Sequence, residues 1–209
     1  MVYKVIEKLK MKKSPGKCLF CGEKGITKLN GYEDLFFCGN CFTAFNFPMP
    51  NDNQLEEFYK NKYWESEKEI PKNVSTHSRT LPFTNIIKEY NSEAKTLCDV
   101  GCGYGALLKG FIEQGFEVSG LECSLGAVKF IKEKLKLNVT QGSIKDIKSY
   151  YDVINLRHVL EHSNNPWKNL ENAIKYLNNN GLFIISVPNF NSLAAKILKP
   201  HQTLLTKVY

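Results

Sequence analysis

The sequence predicts an α/β fold in which a doubly wound parallel sheet follows a small cysteine-rich module. Three observations support this prediction. From residue 83 onward, apolar runs typical of strands alternate with amphipathic runs typical of helices; a glycine-rich turn follows the first of these strands; and four cysteines stand in two close pairs near the N-terminus. Apolar strands that alternate with helices imply a parallel sheet covered on both faces.

Composition places the chain among globular proteins. With 209 residues, 43% hydrophobic and 23% charged, it is long enough for one well-buried domain and a small appendage. The net charge of +7 comes almost wholly from lysine, since Arg79 and Arg157 are the only arginines. Because base and phosphate recognition favours the bidentate fork of arginine, a solvated lysine-rich surface explains this charge better than nucleic-acid binding.

The sequence predicts neither a membrane span nor a signal peptide. No apolar run approaches the roughly 18 residues that cross a bilayer. The first 17 residues are interrupted by lysines and lack a signal-peptide core. We therefore expect a cytoplasmic, reducing location, in which the seven cysteines serve as metal ligands or free thiols rather than disulfides.

Two C-x-x-C pairs predict a zinc site in the N-terminal module. Cys18 and Cys21 form the first pair, Cys38 and Cys41 form the second, and sixteen residues separate the pairs. At this spacing two tight knuckles complete a tetrahedron of thiolates, which leaves no open coordination position. We therefore expect the zinc to be structural, with a redox role for the pairs as the weaker alternative.

The rest of the module, which we assign to residues 1–50, is expected to contain a short hairpin. Residues 26–29 and 35–37 are its predicted strands, and Asn30-Gly31 between them is a favourable turn pair. So small a segment has little apolar core. Zinc is therefore expected to contribute most of its folding free energy, on the order of 10 kcal/mol.

A helical and aromatic linker is predicted over residues 51–82. A short helix covers residues 53–59. Tyr63 and Trp64 follow it, and we expect them either to cover the ligand of the next domain as a lid or to pack between the domains. Pro71 and Pro82 punctuate the polar remainder, which places the domain boundary in this stretch.

The domain assigned to residues 83–209 alternates between strand and helix. Gly115 is expected to end one helix, and Asn165 with Pro166 to begin the last one. Ligands bind at the carboxyl ends of such parallel strands. The predicted helices lie around residues 86–90 and over 104–114, 125–135 and 167–177, and the predicted strands over 96–100, 116–121, 138–141, 151–156 and 182–187.

Polar residues gather where the predicted strands end. Three glycines at alternate positions, Gly101, Gly103 and Gly105, follow the first strand, and such a turn lets a ligand approach the backbone closely. The helix that begins behind this turn supplies unpaired N–H groups and partial positive charge. The ends of the other strands are marked by Glu122, by Gly142 with Ser143 and Ile144, and by Arg157 with His158.

Asp99, two residues before the first glycine, decides between two ligand classes. The pattern Gly101-x-Gly103-x-x-Ala106 also fits the dinucleotide fingerprint, and Glu122 stands where an acid can accept ribose hydroxyls. A carboxylate at residue 99 repels a pyrophosphate but suits a cationic ammonium group. We therefore expect S-adenosylmethionine, which carries an ammonium and a sulfonium and no phosphate, rather than NAD.

Several of these segments together resemble a known family. Residues 98–105, Glu122 and residues 158–162 with Asn165-Pro166 are similar to motifs of class I S-adenosylmethionine-dependent methyltransferases, which have a Rossmann-like fold. The four-cysteine module and Tyr63-Trp64 further resemble a bacterial subgroup with an N-terminal zinc ribbon, often linked to surface-polysaccharide biosynthesis. The resemblance implies S-adenosylmethionine as the cofactor and structural zinc in the ribbon.

The resemblance also implies roles for individual residues. Asp99 and the glycines after it hold the methionine part of the cofactor, and Glu122 holds its ribose. Ser143 and Ile144 hold the adenine. The full cofactor-binding set expected from the sequence is Asp99, Gly101, Cys102, Gly103, Tyr104, Gly105, Glu122, Cys123, Ser143, Ile144 and Arg157.

His158 and His162 are the catalytic residues that we expect. The resemblance places Arg157 and His158 near the transferring methyl group, and a histidine near neutral pH is the natural general base. His158, Glu161 and His162 also match an inverted zinc-protease motif, in which both histidines share one face of a helix. A divalent metal bound here near the acceptor is a further alternative.

Only five strands are predicted, whereas the sheet of this family usually has seven. The fifth strand is then expected to form an exposed apolar edge, which invites self-association. We therefore expect a C-terminally truncated domain that lacks the last two strands and has an incomplete substrate pocket.

The function expected from the sequence is methyl transfer from S-adenosylmethionine to a small-molecule acceptor, such as a sugar or glycan intermediate. The first alternative is an RNA methyltransferase that binds RNA through its zinc ribbon. The lack of an arginine cluster argues against this alternative. The second is a truncated, non-catalytic fragment that binds zinc and cofactor, and the third is an NAD-dependent oxidoreductase.

Overall fold

The computed structural model describes residues 14–32, 34–61, 77–190 and 192. The chain divides into two compact units, one made of residues 51–188 and the other of residues 1–50 and 189–209. Tyr63 and Trp64, expected either as a lid or as packing between the domains, lie outside the described residues. In the described ranges, none of the helices combines the length and the apolar composition of a bilayer span.

The small unit contains an antiparallel sheet of three strands. In order across the sheet these are β1 (Ile26–Lys28), β2 (Leu35–Cys38) and β3 (Ala44–Asn46). The predicted hairpin is confirmed: β1 pairs with β2, and Gly31 in the turn has a φ of 87°, which favours glycine. The sequence does not predict β3, because Pro48 and Pro50 directly after it indicate a loop.

Two helices of the described ranges precede the sheet of the larger unit. Helix α1 (Asp52–Asn61) confirms the short helix expected in the linker. Helix α2 (His77–Tyr90) begins within the predicted linker, and Pro82 lies inside it rather than at a boundary. A proline there costs one backbone hydrogen bond. That loss is offset because Ile87 of the same helix is completely buried among apolar residues of the following strand and helix.

The larger unit is built on the predicted parallel sheet. Across the sheet the strand order is β6-β5-β4-β7-β8, and every neighbouring pair is parallel. The chain moves outward from β4 in one direction and then returns to build β7 and β8 on its other side. This is a doubly wound, Rossmann-like arrangement, whose ligand crevice lies at the carboxyl ends of β4 and its neighbours. The strands are β4 (Thr96–Val100), β5 (Glu117–Glu122), β6 (Val139–Gln141), β7 (Tyr151–Arg157) and β8 (Leu177–Ser186).

Helices between the strands begin and end close to the predicted points. Helix α3 (Ala106–Glu113) is followed by Gly115 at a φ of 90°, and helix α4 (Leu125–Phe130) continues through a short π turn. Helix α5 begins as predicted, because the side chain of Asn165 accepts the backbone N–H of Lys168 at 3.1 Å.

Strand β8 begins earlier than the sequence predicts. Its first residues are Leu177, three asparagines and Gly181, a stretch that the sequence pattern assigns to a helix end and a loop. Helix α5 (Pro166–Ala173) accordingly ends sooner and passes through a 3-10 turn, Ile174–Tyr176. A strand at the edge of a sheet exposes polar side chains to water, so a run of asparagines pairs there without apolar alternation.

Strand β8 forms one edge of the sheet over the part of the chain that the structure describes. Ile185 in the strand is 45% exposed, and Val187 beyond it is 50% exposed. Both side chains are apolar, as the sequence predicts for this edge. Self-association through it stays a prediction.

Asp152 joins the starts of three strands. Its Oδ2 accepts the backbone N–H groups of Lys95 and Thr96, both at 2.9 Å, and the Thr96 hydroxyl at 3.0 Å. Its Oδ1 accepts the side-chain amide of Asn178 in β8 at 2.8 Å. Burial opposes ionisation, but these donors prevail and lower the pKa of Asp152 to about 2.

We expect Asp152→Asn to lower the free energy of unfolding by about 2 kcal/mol at pH 7, because hydrogen bonds to charged groups contribute roughly 1.5–3 kcal/mol. A carboxylate with a depressed pKa stabilises the fold above its unfolded pKa of about 3.9 and loses that contribution as the pH falls. Urea unfolding should therefore show a smaller difference between variant and wild type at pH 3 than at pH 7. Glu93→Gln, at an exposed acid nearby, is the control; equal effects of the two substitutions would contradict this role of Asp152.

Candidate functional site

The turn after β4 has the backbone conformation expected of its glycines. Gly101, Gly103 and Gly105 have φ angles of 68°, 54° and 79°, in the left-handed region that other residues rarely adopt. A Cβ on Gly101 would lie 2.7 Å from Cγ2 of Val159, so the turn packs directly on the loop after β7. Gly105 is the N-cap of α3 and supplies no side-chain cap, which leaves the first N–H groups of the helix facing the turn.

Glu122 contacts this turn from the neighbouring strand. It lies at the end of β5 and is 6% exposed. Its Oε2 accepts the N–H of Gly103 and its Oε1 accepts the N–H of Ser124, both at 2.8 Å. These two charge-assisted bonds hold the carboxylate against the glycine turn. The acid that the sequence assigns to the ribose therefore lies beside the predicted glycines.

Asp99 is a second buried carboxylate next to the turn, with 2% exposure. Its Oδ1 accepts the side-chain amide of Asn155 on β7 at 2.7 Å, and its Oδ2 has no hydrogen-bond partner among the described residues. Burial raises the pKa of Asp99 to about 7, while the Asn155 amide and the charge of Arg157 oppose the rise and Glu122 adds to it. A buried carboxylate with one unmatched oxygen suits a ligand that donates N–H groups and carries positive charge.

Three of the predicted cofactor-binding side chains serve other purposes in this structure. Cys102 packs in the core beside Leu108, and Ile144 is 4% exposed in a second core cluster. Ser143 caps the 3-10 turn after β6, where its hydroxyl lies 3.1 Å from Oδ2 of Asp146. Their assignment to cofactor binding stays a prediction.

Tyr104 and Cys123 are both partly exposed beside the site. The ring of Tyr104 meets that of Phe130 edge to face at 5.3 Å. The Cys123 thiol donates to the carbonyl of Gly142 at 3.4 Å and so links the ends of β5 and β6. Both residues therefore lie at the carboxyl edge of the sheet, where the sequence places them.

His158 begins the loop after β7 in a left-handed conformation, with a φ of 55°. Its backbone N–H donates to the carbonyl of Ser186 at 2.8 Å, which ties the loop to β8. Its Nδ1 lies 3.0 Å from Oε1 of Glu161, and the side chains are 50% and 10% exposed respectively. Burial raises the pKa of Glu161, and the pairing with His158 opposes that rise. The largely buried carboxylate of Glu161 therefore contacts one ring nitrogen of the half-exposed His158 imidazole.

The inverted zinc-protease motif does not form. His158 precedes the 3-10 turn Leu160–His162 and lies outside any helix, so the two histidines do not share a helical face. Within the described residues, the four cysteines of the small unit are the one group of potential ligands close enough together to hold a metal ion. The alternative of a metal at His158, Glu161 and His162 has no support in this geometry.

His162, the second predicted catalytic residue, is partly buried and neutral. Its Nδ1 lies 2.6 Å from the hydroxyl of Tyr59 in α1, and the two rings meet at 5.2 Å. Burial lowers the pKa of His162 to about 4, and the charge of His158 lowers it further. Because one ring nitrogen is engaged and the ring is a weak base, His162 is better suited to hold the loop against α1 than to take a proton.

The four cysteines converge as predicted for a zinc site. All four sulfurs lie within 4.8 Å of one another, and the pairs Cys18–Cys41 and Cys21–Cys38 are each 3.7 Å apart. A tetrahedron of thiolates with Zn–S bonds of about 2.3 Å has edges of about 3.8 Å. A backbone bond from Glu23 lowers the pKa of Cys21 to about 6, whereas burial raises that of Cys18 to about 11. Donor type and spacing both fit one zinc ion.

Asn155 and Tyr59 are the residues of this region that sequence analysis misses. Asn155 interrupts the apolar run of residues 153–156 in β7, and this polar position is a signal that points to it. Tyr59 and His162 are 103 residues apart in the chain, so no local pattern predicts their contact.

Proteins with known names are similar to this chain in sequence. Residues 72–206 match the sequence pattern of a methyltransferase domain family. The ubiquinone biosynthesis O-methyltransferase of Rickettsia canadensis (strain McKiel) is 33% identical over 112 residues, which cover 50% of this chain and 48% of that protein. The enzyme of the same name from Rickettsia prowazekii (strain Madrid E) is 30% identical over 151 residues, which cover 66% of this chain and 60% of that protein. The chain thus spans about half to three fifths of the length of these curated relatives.

A solved structure supports the fold. The plantazolicin methyltransferase BpumL, in complex with a pentazolic desmethylPZN analog and SAH, superposes with a TM-score of 0.57 at 20% identity. The match covers 75% of this chain and 68% of that one. At this identity the likeness concerns the Rossmann-like fold alone.

Proposed function

Because the chain belongs to the methyltransferase domain family, we propose that it transfers the methyl group of S-adenosylmethionine to a hydroxyl oxygen of a small molecule. The observation that carries this proposal is the pair of buried carboxylates, Asp99 and Glu122, beside the left-handed glycine turn. The curated relatives, which are named O-methyltransferases, support the hydroxyl as acceptor. A sugar or glycan intermediate, expected from the sequence, is one class of such acceptor.

The donors and charges of the site fit S-adenosylmethionine better than a dinucleotide. The unmatched Oδ2 of Asp99 is suited to an ammonium group, and the Glu122 carboxylate lies at the end of the next strand, where an acid can accept a ribose hydroxyl. A pyrophosphate bound at the same turn would face both carboxylates at close range. Among the described side chains, Arg157 is the one arginine whose charge acts on Asp99, and it is exposed. The NAD-dependent alternative is therefore disfavoured.

His158 is the residue that we assign as general base. When bound, S-adenosylmethionine supplies a methyl group already activated by a positive sulfur, so orientation of the acceptor contributes much of the rate. An ionised Glu161 only accepts hydrogen bonds, and therefore receives the Nδ1–H of His158 and leaves the lone pair on Nε2. That lone pair takes the proton that the acceptor hydroxyl gives up.

Wild-type protein tests the proposed function directly. Calorimetry measures binding of S-adenosylmethionine, and transfer of its labelled methyl group is followed to catechol, to a nucleotide-linked sugar and to RNA. Binding together with transfer to catechol or to the sugar is the expected result. Transfer to RNA alone would favour the RNA methyltransferase, and binding without any transfer would favour a non-catalytic cofactor-binding fragment. Absence of cofactor binding would overturn the proposal.

We expect His158→Ala to lower the rate of methyl transfer about 100-fold or more, because general-base catalysis contributes roughly 10²–10⁴-fold. The affinity for S-adenosylmethionine should change less than about threefold, since the proton is taken from the acceptor. Lys168→Ala, at an exposed position on α5, is the control and should leave both quantities unchanged. If His158→Ala instead abolishes cofactor binding, His158 is a binding residue and not the base.

A further inference from the structure

We propose that Asn155 is a positioning residue of the cofactor site, whose side-chain amide holds the Asp99 carboxylate charged and correctly turned for the ammonium group of the cofactor. This inference rests on the proposed function and adds to it a residue that has no role in the predicted site. Binding of one part of the cofactor, its amino-acid end, then depends on Asn155.

The first support is the placement of Asn155. It lies on β7 directly opposite Asp99 of β4 in the sheet register, and it is completely buried. Its neighbours Ile154 and Leu156 are equally buried and apolar. An amide at such a position costs stability unless its polar atoms are satisfied, and its oxygen has no partner among the described residues. Packing alone therefore does not account for an asparagine here.

The second support is the direction of the hydrogen bond. Nδ2 of Asn155 donates to Oδ1 of Asp99 at 2.7 Å, and this is the bond that the structure records for the carboxylate. It occupies one oxygen and fixes the carboxylate plane, while the other oxygen, Oδ2, has no described partner. Because an amide does not titrate, this donor is present at every pH. The amide thus selects which oxygen accepts from a ligand.

The third support is the electrostatic surroundings of Asp99. Its charge is opposed by burial and by Glu122 on β5, and is favoured by Arg157 at the end of β7 and by the Asn155 amide. Cys98 and Cys102 are the thiols whose pKa values respond to its charge, but burial first and then Asp99 itself raise those pKa values, that of Cys98 to about 12, so both remain neutral. Asn155 is therefore the one neutral donor among the described groups that favours the ionised form of Asp99.

The sign of the expected pH dependence follows from these contacts. The ammonium group binds the ionised form of Asp99, whose raised pKa of about 7 means that affinity falls as the pH drops from 7.5 to 6. Without the amide, Asp99 holds its proton to a higher pH. The loss of affinity in a variant should therefore be larger at pH 6 than at pH 7.5.

The test compares ligands with and without the ammonium group. Calorimetry at pH 6, 6.75 and 7.5 measures binding of S-adenosylhomocysteine and of 5′-methylthioadenosine, which keeps the adenosine and the sulfur but has no amino-acid end. For Asn155→Leu we expect about tenfold weaker binding of S-adenosylhomocysteine at pH 6.75 and unchanged binding of 5′-methylthioadenosine. Asn155→Thr, which retains a hydroxyl donor, should recover part of the loss.

Each outcome separates this inference from the proposed function. If wild type binds S-adenosylhomocysteine but Asn155→Leu binds both ligands as wild type does, the inference fails and the proposed function stands. Equal weakening of both ligands would show a merely structural role and would also overturn it. If Asn155→Leu does not fold, the wild-type pH profile decides, because a flat profile for S-adenosylhomocysteine contradicts the dependence on Asp99. Failure of wild type to bind either ligand counts against the proposed function itself.

Discussion

Replacing Cys38 by serine should release zinc from the small unit and unfold it. Cys38 is completely buried, and its thiol lies 3.7 Å from that of Cys21. Among its described residues the unit has three strands of three or four residues, and the core cluster around the cysteines contains two buried phenylalanines, Phe36 and Phe45. A structural zinc site contributes on the order of 10 kcal/mol to folding, far more than so small a core supplies. Loss of one zinc ligand should therefore be enough to release the metal and unfold the unit.

The measurement is zinc content by elemental analysis, together with the aromatic circular dichroism of the purified chain. We expect about one zinc ion per chain in the wild type and almost none in Cys38→Ser. Cys123→Ser, which alters a thiol outside the four-cysteine cluster, is the matched control and should keep the metal. Zinc content that does not change in Cys38→Ser, or a wild-type chain that binds no zinc, would refute the site.

Glu122→Gln should weaken binding of S-adenosylmethionine about 100-fold, which corresponds to about 2.7 kcal/mol. The substitution keeps the size of the side chain but removes its charge. It also turns one of the two accepting atoms into a donor, and that donor then faces the N–H of Gly103 or of Ser124. The glycine turn loses an anchor and the ribose loses its acceptor at the same time.

Calorimetry with S-adenosylmethionine measures this loss, and thermal unfolding shows whether the variant remains folded. Glu117→Gln changes an exposed acid at the opposite end of the same strand and is the matched control. It should leave the affinity within about twofold of wild type. An equal effect of both substitutions would mean that net charge, and not the position of Glu122, governs binding.

Local sequence pattern is sufficient for much of this protein. The spacing of four cysteines predicts a thiolate cluster, and the structure brings their sulfurs within 4.8 Å. Alternating apolar runs predict five parallel strands, and three glycines predict a turn that needs left-handed backbone. These features depend on residues close together in the chain, where periodicity and conformational preference act directly.

The boundaries of helices and strands are harder to predict from the sequence where a residue type occurs both in loops and in regular structure. Pro82 suggests a linker, yet it lies within α2 because burial of that helix outweighs one lost hydrogen bond. The asparagines before Gly181 suggest a loop, yet they begin β8 because an edge strand tolerates polar side chains. In both places tertiary packing overrides a local preference.

The detailed chemistry of the site depends on contacts that local pattern does not encode. The bond from Asn155 to Asp99 joins residues 56 positions apart, and the bond from Tyr59 to His162 joins residues 103 positions apart. Burial at these points raises the pKa of Asp99 and lowers that of His162, which makes the first a group titrating near neutral pH and the second a neutral ring. Residue type and spacing thus define the candidate site, whereas strand pairing and burial define which of its groups are charged, because desolvation exists only in the folded chain.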